Sequence, residues 1–218
     1  MIDIAINGGA SDVIRIIVIL TIITLAPFLL LMMTCFTRII IVLGFLRQAM
    51  GLQQTPPTQV LIGLALFITF FIMSPVLSEI NETALQPYNE REIETTVFLE
   101  RAAEPIKEFM LTQAGTDEVN FFRGLSREPA VAELSGMQLP LNIVVPAFVI
   151  SELKRAFIMG FLLFIPFLVI DTIVASTLMS MGMIMLPPVM ISMPFKILLF
   201  VVVDGWSLLV NTLVMSFN

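Results

Sequence analysis

Positions 60–77 read VLIGLALFITFFIMSPVL, eighteen consecutive residues without a charged side chain. An α-helix rises about 1.5 Å per residue, so this stretch nearly matches the ~30 Å hydrocarbon core of a bilayer. Residues 13–36 form a longer apolar run with a single charged residue. The segment 48–59 between them contains Pro56-Pro57, a pair that stops helices. Residues 13–77 are therefore predicted to form an apolar helical hairpin.

The composition of the whole chain agrees with this prediction. Of the 218 residues, 58% are apolar and 13% are charged, whereas soluble domains have ~45–50% and ~25%. The chain is therefore expected to be a membrane protein or part of a membrane complex. It has no histidine and one cysteine, which disfavours acid–base catalysis, metal binding and an intrachain disulfide. Ser151 beside Glu152 is too generic to indicate a nucleophile, so we expect no enzyme and no cofactor.

The charges are concentrated in one segment, residues 78–142, which has a net charge of −7 while the rest of the chain has +1. Within it, apolar residues recur at helical spacing over 89–114, with Asn89 as the expected N-cap. Shorter helices are possible near 117–123 and 128–135. Because the net charge of the chain is −6, nucleic acid is not an expected partner.

A second apolar hairpin is predicted over residues 143–218, with its turn at Pro187-Pro188. The predicted fold class is therefore all-α. Two long kinked helical hairpins flank a small helical insertion that lies outside the cytoplasm, and residues 1–12 form an N-terminal tail.

The positive-inside rule gives conflicting signals for this layout. Arg38 and Arg47 favour a cytoplasmic location for the first turn, which places the acidic segment and both termini outside. Lys154 and Arg155 then fall at the outer end of the third span. These four residues are expected to anchor at a headgroup boundary or to pair with acids on another subunit. The conflict indicates that many apolar faces pack against other chains rather than lipid.

Three charged residues lie deep in the apolar runs of the second hairpin: Asp171, Lys196 and Asp204. Folding between Pro187 and Pro188 would place Asp171 level with Asp204, and Lys196 about two helical turns away. One interpretation is a proton-sensitive or pathway-lining site. The favoured one is that these buried charges fix packing or helix register.

Methionines alternate through residues 179–190, at Met179, Met181, Met183 and Met185. On an extended segment, a period of two places every thioether on one side. Methionine is flexible and adapts its shape, so a ring of such loops would form a soft apolar constriction. The alternative is that methionine is simply common in this chain.

Four long stretches resemble the FliP family of flagellar export-gate proteins. They are PFLLLMMTCFTRIIIVLGFLRQAMG (27–51), QQTPPTQVLIGLALFITFFIMSPV (53–76), FVISELKRAFIMGFLLFIPFLVIDTIVASTLMSMGMIMLPP (148–188) and PFKILLFVVVDGW (194–206). The resemblance implies a pore-forming subunit of the type III export gate, which passes unfolded flagellar proteins across the bacterial inner membrane. It also implies a homo-pentamer with FliQ-like and FliR-like subunits in the flagellar basal body. FlhB-like and FlhA-like export proteins and the basal-body ring and rod are further expected partners.

The resemblance places a closing gasket at Gly182, Met183, Ile184 and Met185, within the alternating methionines. Met181, Met183 and Met185 are therefore expected to seal the pore at rest. Many family members begin with a cleavable signal peptide, and no such segment is recognisable here. Flagellar use is favoured over injectisome use. The rival interpretation is a small-solute or ion transporter subunit that uses the three buried charges of the second hairpin. A transporter would function as a self-contained unit, whereas an export-gate subunit would depend on partners.

Overall fold

The structure is a computed structural model that describes residues 16–17, 20–21, 24–25, 31–126, 131, 134–183 and 185–217. The regular secondary structure of these residues is helical, which confirms the all-α prediction. The predicted tail and most of the run 13–36, with Arg15, lie outside the described residues.

The helices are α1 (Phe36–Ala49), α2 (Thr58–Ile80), α3 (Gln86–Asn89), α4 (Thr95–Gln113), α5 (Thr116–Leu125), α6 (Leu141–Ser180), α7 (Pro188–Val202) and α8 (Gly205–Met215). A π-helical turn, Asn81–Leu85, joins α2 to α3, so Thr58–Asn89 is one continuous helical segment. A 3-10 turn, Gly136–Gln138, precedes α6.

Both predicted hairpin turns follow a glycine in the left-handed conformation. Gly51 ends α1 and Gly182 ends α6, each with φ of 76°. After Gly182, the amide of Met183 donates to the carbonyl of Leu178 at 3.0 Å, and the amide of Gly182 donates to that of Met179 at 3.0 Å. This is the Schellman pattern, which satisfies the last carbonyls of a helix and turns the chain away from its axis.

Two described helical segments are long and apolar enough to cross a membrane, Thr58–Asn89 and Leu141–Ser180. Helices α7 and α8 form a third candidate if they count as one span, broken by a 65° bend. The first of the four predicted spans lies largely outside the described residues.

The acidic segment forms helices α3 to α5, but its main helix begins later than expected. Thr95 is the first residue of α4, and Glu94 with an extended backbone is its N-cap, so the prediction of Asn89 is wrong. Arg91 adopts a left-handed conformation with φ of 62°, which interrupts the helical path. The helix predicted near 117–123 corresponds to α5, whereas the one near 128–135 lies partly outside the described residues.

Helix α1 packs most extensively on α6, which also contacts α4, α5 and α7. The Phe45 ring meets the rings of Phe157 and Phe164 edge to face, at centroid distances of 5.3 and 6.1 Å. It lies directly over Gly160, where a side chain would occupy the same space. The outer surface of α6 remains largely uncovered, with Phe161 68% exposed.

Candidate functional site

A buried ion pair joins α1 to α6. Arg38 and Glu152 are each 0% exposed. Arg38 Nε donates to Glu152 Oε2 at 2.8 Å, and its Nη2 donates to Glu152 Oε1. Arg38 Nη1 donates to the carbonyl and hydroxyl of Ser216, at 2.9 and 2.8 Å. The Phe217 ring centroid lies 3.6 Å from the guanidinium carbon. Arg38 is therefore neither a headgroup anchor nor an intersubunit residue, and that prediction is wrong.

Gln113 extends this arrangement to the acidic segment. Its Oε1 accepts hydrogen bonds from Arg155 Nη1 at 3.0 Å and Arg38 Nη2 at 3.4 Å, and its Nε2 donates to the Phe217 carbonyl at 3.0 Å. We call Arg38, Gln113, Glu152, Arg155 and Ser216 the Arg38 cluster. It fastens α1, α4, α6 and the end of α8 together.

The other basic residues predicted as anchors also have partners within the chain. Lys154 Nζ donates to Glu118 Oε1 at 2.9 Å across α6 and α5, and this hydrogen bond lowers the pKa of Glu118. Arg47 donates to Thr58 Oγ1 at 3.1 Å across the first turn. These contacts brace neighbouring elements. Anchoring of Arg47 and Lys154 at a membrane or another subunit stays a prediction.

A second ionic group joins α1, α6 and α7. Lys196 Nζ donates to Asp171 Oδ2 at 2.6 Å and to the carbonyl of Ala49 at 3.0 Å. Asp171 Oδ1 accepts a hydrogen bond of 2.5 Å from the Ser192 hydroxyl. Because Ala49 is the last residue of α1, the ammonium also meets the negative end of a helix dipole. We call Lys196, Asp171, Ser192 and Ala49 the Lys196 cluster.

The observed register of the second hairpin differs from the predicted one. Asp171 was expected level with Asp204, but it binds Lys196, which was expected two turns away. The difference arises because α6 already ends at Ser180 and Gly182 turns the chain, so the turn is centred several residues before Pro187. Asp204 is exposed and stands in the bend between α7 and α8, so its predicted burial is wrong for the single chain.

The predicted gasket residues lie in an exposed loop at the tip of the α6–α7 hairpin. Met181, Met183 and Met185 are 63%, 42% and 98% exposed. We call residues 181–187 the methionine loop; Ile184 lies outside the described residues. The first turn is at the same end of the molecule, because the side chain of Val189 lies 3.4 Å from the position of a Gly51 Cβ.

Metal-ligating side chains do not cluster in the part of the chain that the structure describes. No group of three or more carboxylate or thiol side chains is placed there to bind a metal. What the geometry brings together is two ionic clusters that lock helices and one exposed apolar loop.

The sequence profile of the FliP family matches residues 19–213 of the chain. The chain belongs to the FliP family. The flagellar biosynthetic protein FliP of Bacillus subtilis is 53% identical over 209 residues, covering 96% of this chain and 94% of that protein. The proteins of the same name from Pectobacterium carotovorum and Aquifex aeolicus are 51% and 48% identical. They cover 97% of this chain, and 82% and 89% of their own lengths are matched.

Membership confirms the resemblance to the FliP family. The ion pairs of the two clusters lie within the stretches that carry it: Arg38 in 27–51, Glu152 and Asp171 in 148–188, and Lys196 in 194–206. Sequence reasoning missed Glu152 as the partner of Arg38, and it missed Gln113. The available signal was that a charge beside an apolar run requires an opposite charge elsewhere in the fold.

Proposed function

We propose that this chain is a pore-forming core subunit of the flagellar type III export gate, which passes unfolded flagellar proteins across the bacterial inner membrane. The observation that carries the proposal is the methionine loop. Three thioethers project from the tip of a helical hairpin, and Met185 is 98% exposed. Together with Met179, at the end of α6, these make four exposed methionines within residues 179–185. None of the four packs into the core of the single chain.

A closing role follows from the chemistry of the side chain. Methionine is unbranched and polarizable, so thioethers from several copies can fill an irregular gap and still move apart for a passing chain. The Lys196 cluster supports such a loop, because it joins α6 to α7 a few turns before the tip. In this role the subunit is not an enzyme, and the driving energy comes from other proteins.

The same proposal includes the assembly and its location. We place five copies together with FliQ-like and FliR-like subunits, near FlhB-like and FlhA-like export proteins and the basal-body ring and rod. The acidic segment faces the extracytoplasmic side of the inner membrane. The uncovered apolar surfaces of α6, α7 and α8 support an assembly of several chains, because packing against other chains removes these surfaces from water.

The first prediction concerns the seal. Replacing Met183 and Met185 together by alanine shortens both side chains, so resting cells should become permeable to small solutes or ions. The measurement is dye or ion uptake in cells that contain the assembled complex. Met137→Ala is the control, because Met137 is 44% exposed but belongs to the insertion. Unchanged permeability of the double variant, at normal assembly, would refute a gasket at these residues.

The transporter alternative has less support. It needs ionisable groups that bind or relay a coupling ion, but Asp171 and Lys196 already bind each other and are held by Ser192 and Ala49. Asp204 stands apart from them in the bend.

A further inference from the structure

Asp204 is a lone charge in the middle of an apolar surface. It stands between α7 and α8, near the centre of a broken candidate span. Its neighbours Val202 and Val203 are 73% and 49% exposed, and Leu208 is 59% exposed. A carboxylate in such surroundings is energetically costly unless it faces protein or water.

The two carboxylates within α6 are both matched within the chain. Glu152 binds Arg38, and Asp171 binds Lys196. The carboxylate of Asp204, in contrast, takes part in no hydrogen bond or ion pair with the described residues, and it does not cap α8. A positive charge that pairs with Asp204 therefore has to come from outside the described residues.

The bend holds Asp204 at a defined position. The Phe200 ring fills the space beside Gly205, where a Cβ would lie 2.3 Å from a ring carbon, and it meets Trp206 edge to face at 5.3 Å. Asp204 itself has φ of 50° and ψ of 52°, a conformation for which glycine is the least strained residue. Asparagine suits this backbone as well as aspartate does, so the geometry does not by itself require a negative charge.

We propose that Asp204 is the docking point for a lysine or arginine side chain on an apolar helix of a different subunit. A second copy of this chain is the weaker candidate, because the basic residues of its described apolar helices are already bound within their own chain. Arg38 and Lys196 are both engaged in this way. The inference rests on the proposed function only in requiring a multi-chain membrane assembly, and it does not require a gasket.

Asp204→Asn tests the charge alone, because asparagine keeps the shape and tolerates the left-handed backbone. We expect the fraction of this chain recovered with partner chains in native mass spectrometry to fall at least about tenfold, as for other truncated interfacial ion pairs. Glu104→Gln, an exposed carboxylate on α4, is the matched control and should leave assembly unchanged. Wild-type assembly of Asp204→Asn would overturn the proposal.

The same variant should not destabilise the isolated chain, because the carboxylate of Asp204 has no partner among the described residues. Equal thermal unfolding of purified wild type and Asp204→Asn in detergent is therefore expected. A clear loss of stability in the isolated chain would mean that the carboxylate acts within its own fold, and would also overturn the proposal.

Charge reversal identifies the partner. Asp204→Lys should abolish motility, and selection for motile revertants should yield a basic-to-acidic substitution in a second protein of the assembly. Revertants that map to this chain, for example to Arg15, would assign the contact to the same chain or another copy and overturn the inference. Failure of the methionine seal would leave these assembly readouts untouched, so the two proposals fail separately.

Discussion

At the residue scale, the buried charges within the apolar helices join one helix to another. Arg38 has no exposed surface and satisfies both oxygens of Glu152, together with the end of α8 through Ser216. Two buried ions bring little net stability when both are present, because desolvation offsets their attraction. Removing one of them leaves an unpaired charge, which is far more costly. The value of the pair therefore lies in fixing which helices meet.

Single substitutions in this pair should be severe and their combination milder. We expect Arg38→Met or Glu152→Leu to cost about 3–5 kcal/mol, and the double variant to cost less than the sum. Cys35 is the only cysteine and is 0% exposed, so the rate at which a thiol-reactive dye labels it on heating reports unfolding. Strictly additive losses would show that the two side chains contribute independently.

The sequence identifies the anomalous residues but not their partners. The sequence shows Arg38 as a charge beside apolar runs, yet its partner lies 114 residues away and its contact to Ser216 spans 178 residues. Periodicity and spacing report only on neighbours within a few turns. Pairings across the molecule depend on how α1, α4, α6 and α8 pack, which no local pattern contains.

At the element scale, the existence of the apolar helices and both turns could be predicted, but their lengths could not. Residues 151–155, SELKR, interrupt the apolar pattern with three charged side chains, yet α6 runs unbroken through them. The helix continues because all three charged side chains have partners on other elements. Glu152 meets α1, Lys154 meets α5, and Arg155 meets α4. Tertiary contacts thus determine that the helix continues through these residues.

The packing of Phe45 of α1 against α6 depends on one small residue. A Cβ on Gly160 would lie 2.3 Å from the Phe45 ring, so Gly160→Ala should destabilise the chain by about 1–3 kcal/mol through overpacking. Adding Phe45→Leu should recover part of the loss. Gly44→Ala is the control, because its Cβ meets nothing within 4 Å and alanine is favoured in helices. Dye labelling of Cys35 on heating measures the stability of all three variants. If Gly160→Ala unfolds at the same temperature as the wild type, the two helices can move apart at little cost.

At the scale of the whole molecule, the fold is incomplete as a free-standing unit. The ionic clusters and α1 hold the interior together. However, only 11% of the most apolar 18-residue stretch of α6 is buried within the chain. The outer faces of α7 and α8 are similarly exposed, with Leu198, Val201 and Leu208 at about 60% or more. Either lipid or other chains have to cover this surface. The chain should be extracted as a lipid-coated monomer in the first case and as a multi-chain complex in the second.

Gentle extraction of a tagged copy from its own membranes, followed by native mass spectrometry, separates these two cases. We expect a homo-oligomer that carries other multi-span chains at a fixed ratio, because a lone carboxylate at Asp204 and the exposed methionine loop both suit protein neighbours better than lipid. Variants of exposed residues in the acidic segment, such as Glu104→Gln, serve as controls for non-specific association. A monomer coated only with lipid would contradict the export-gate proposal, since a pore closed by several loops requires several copies.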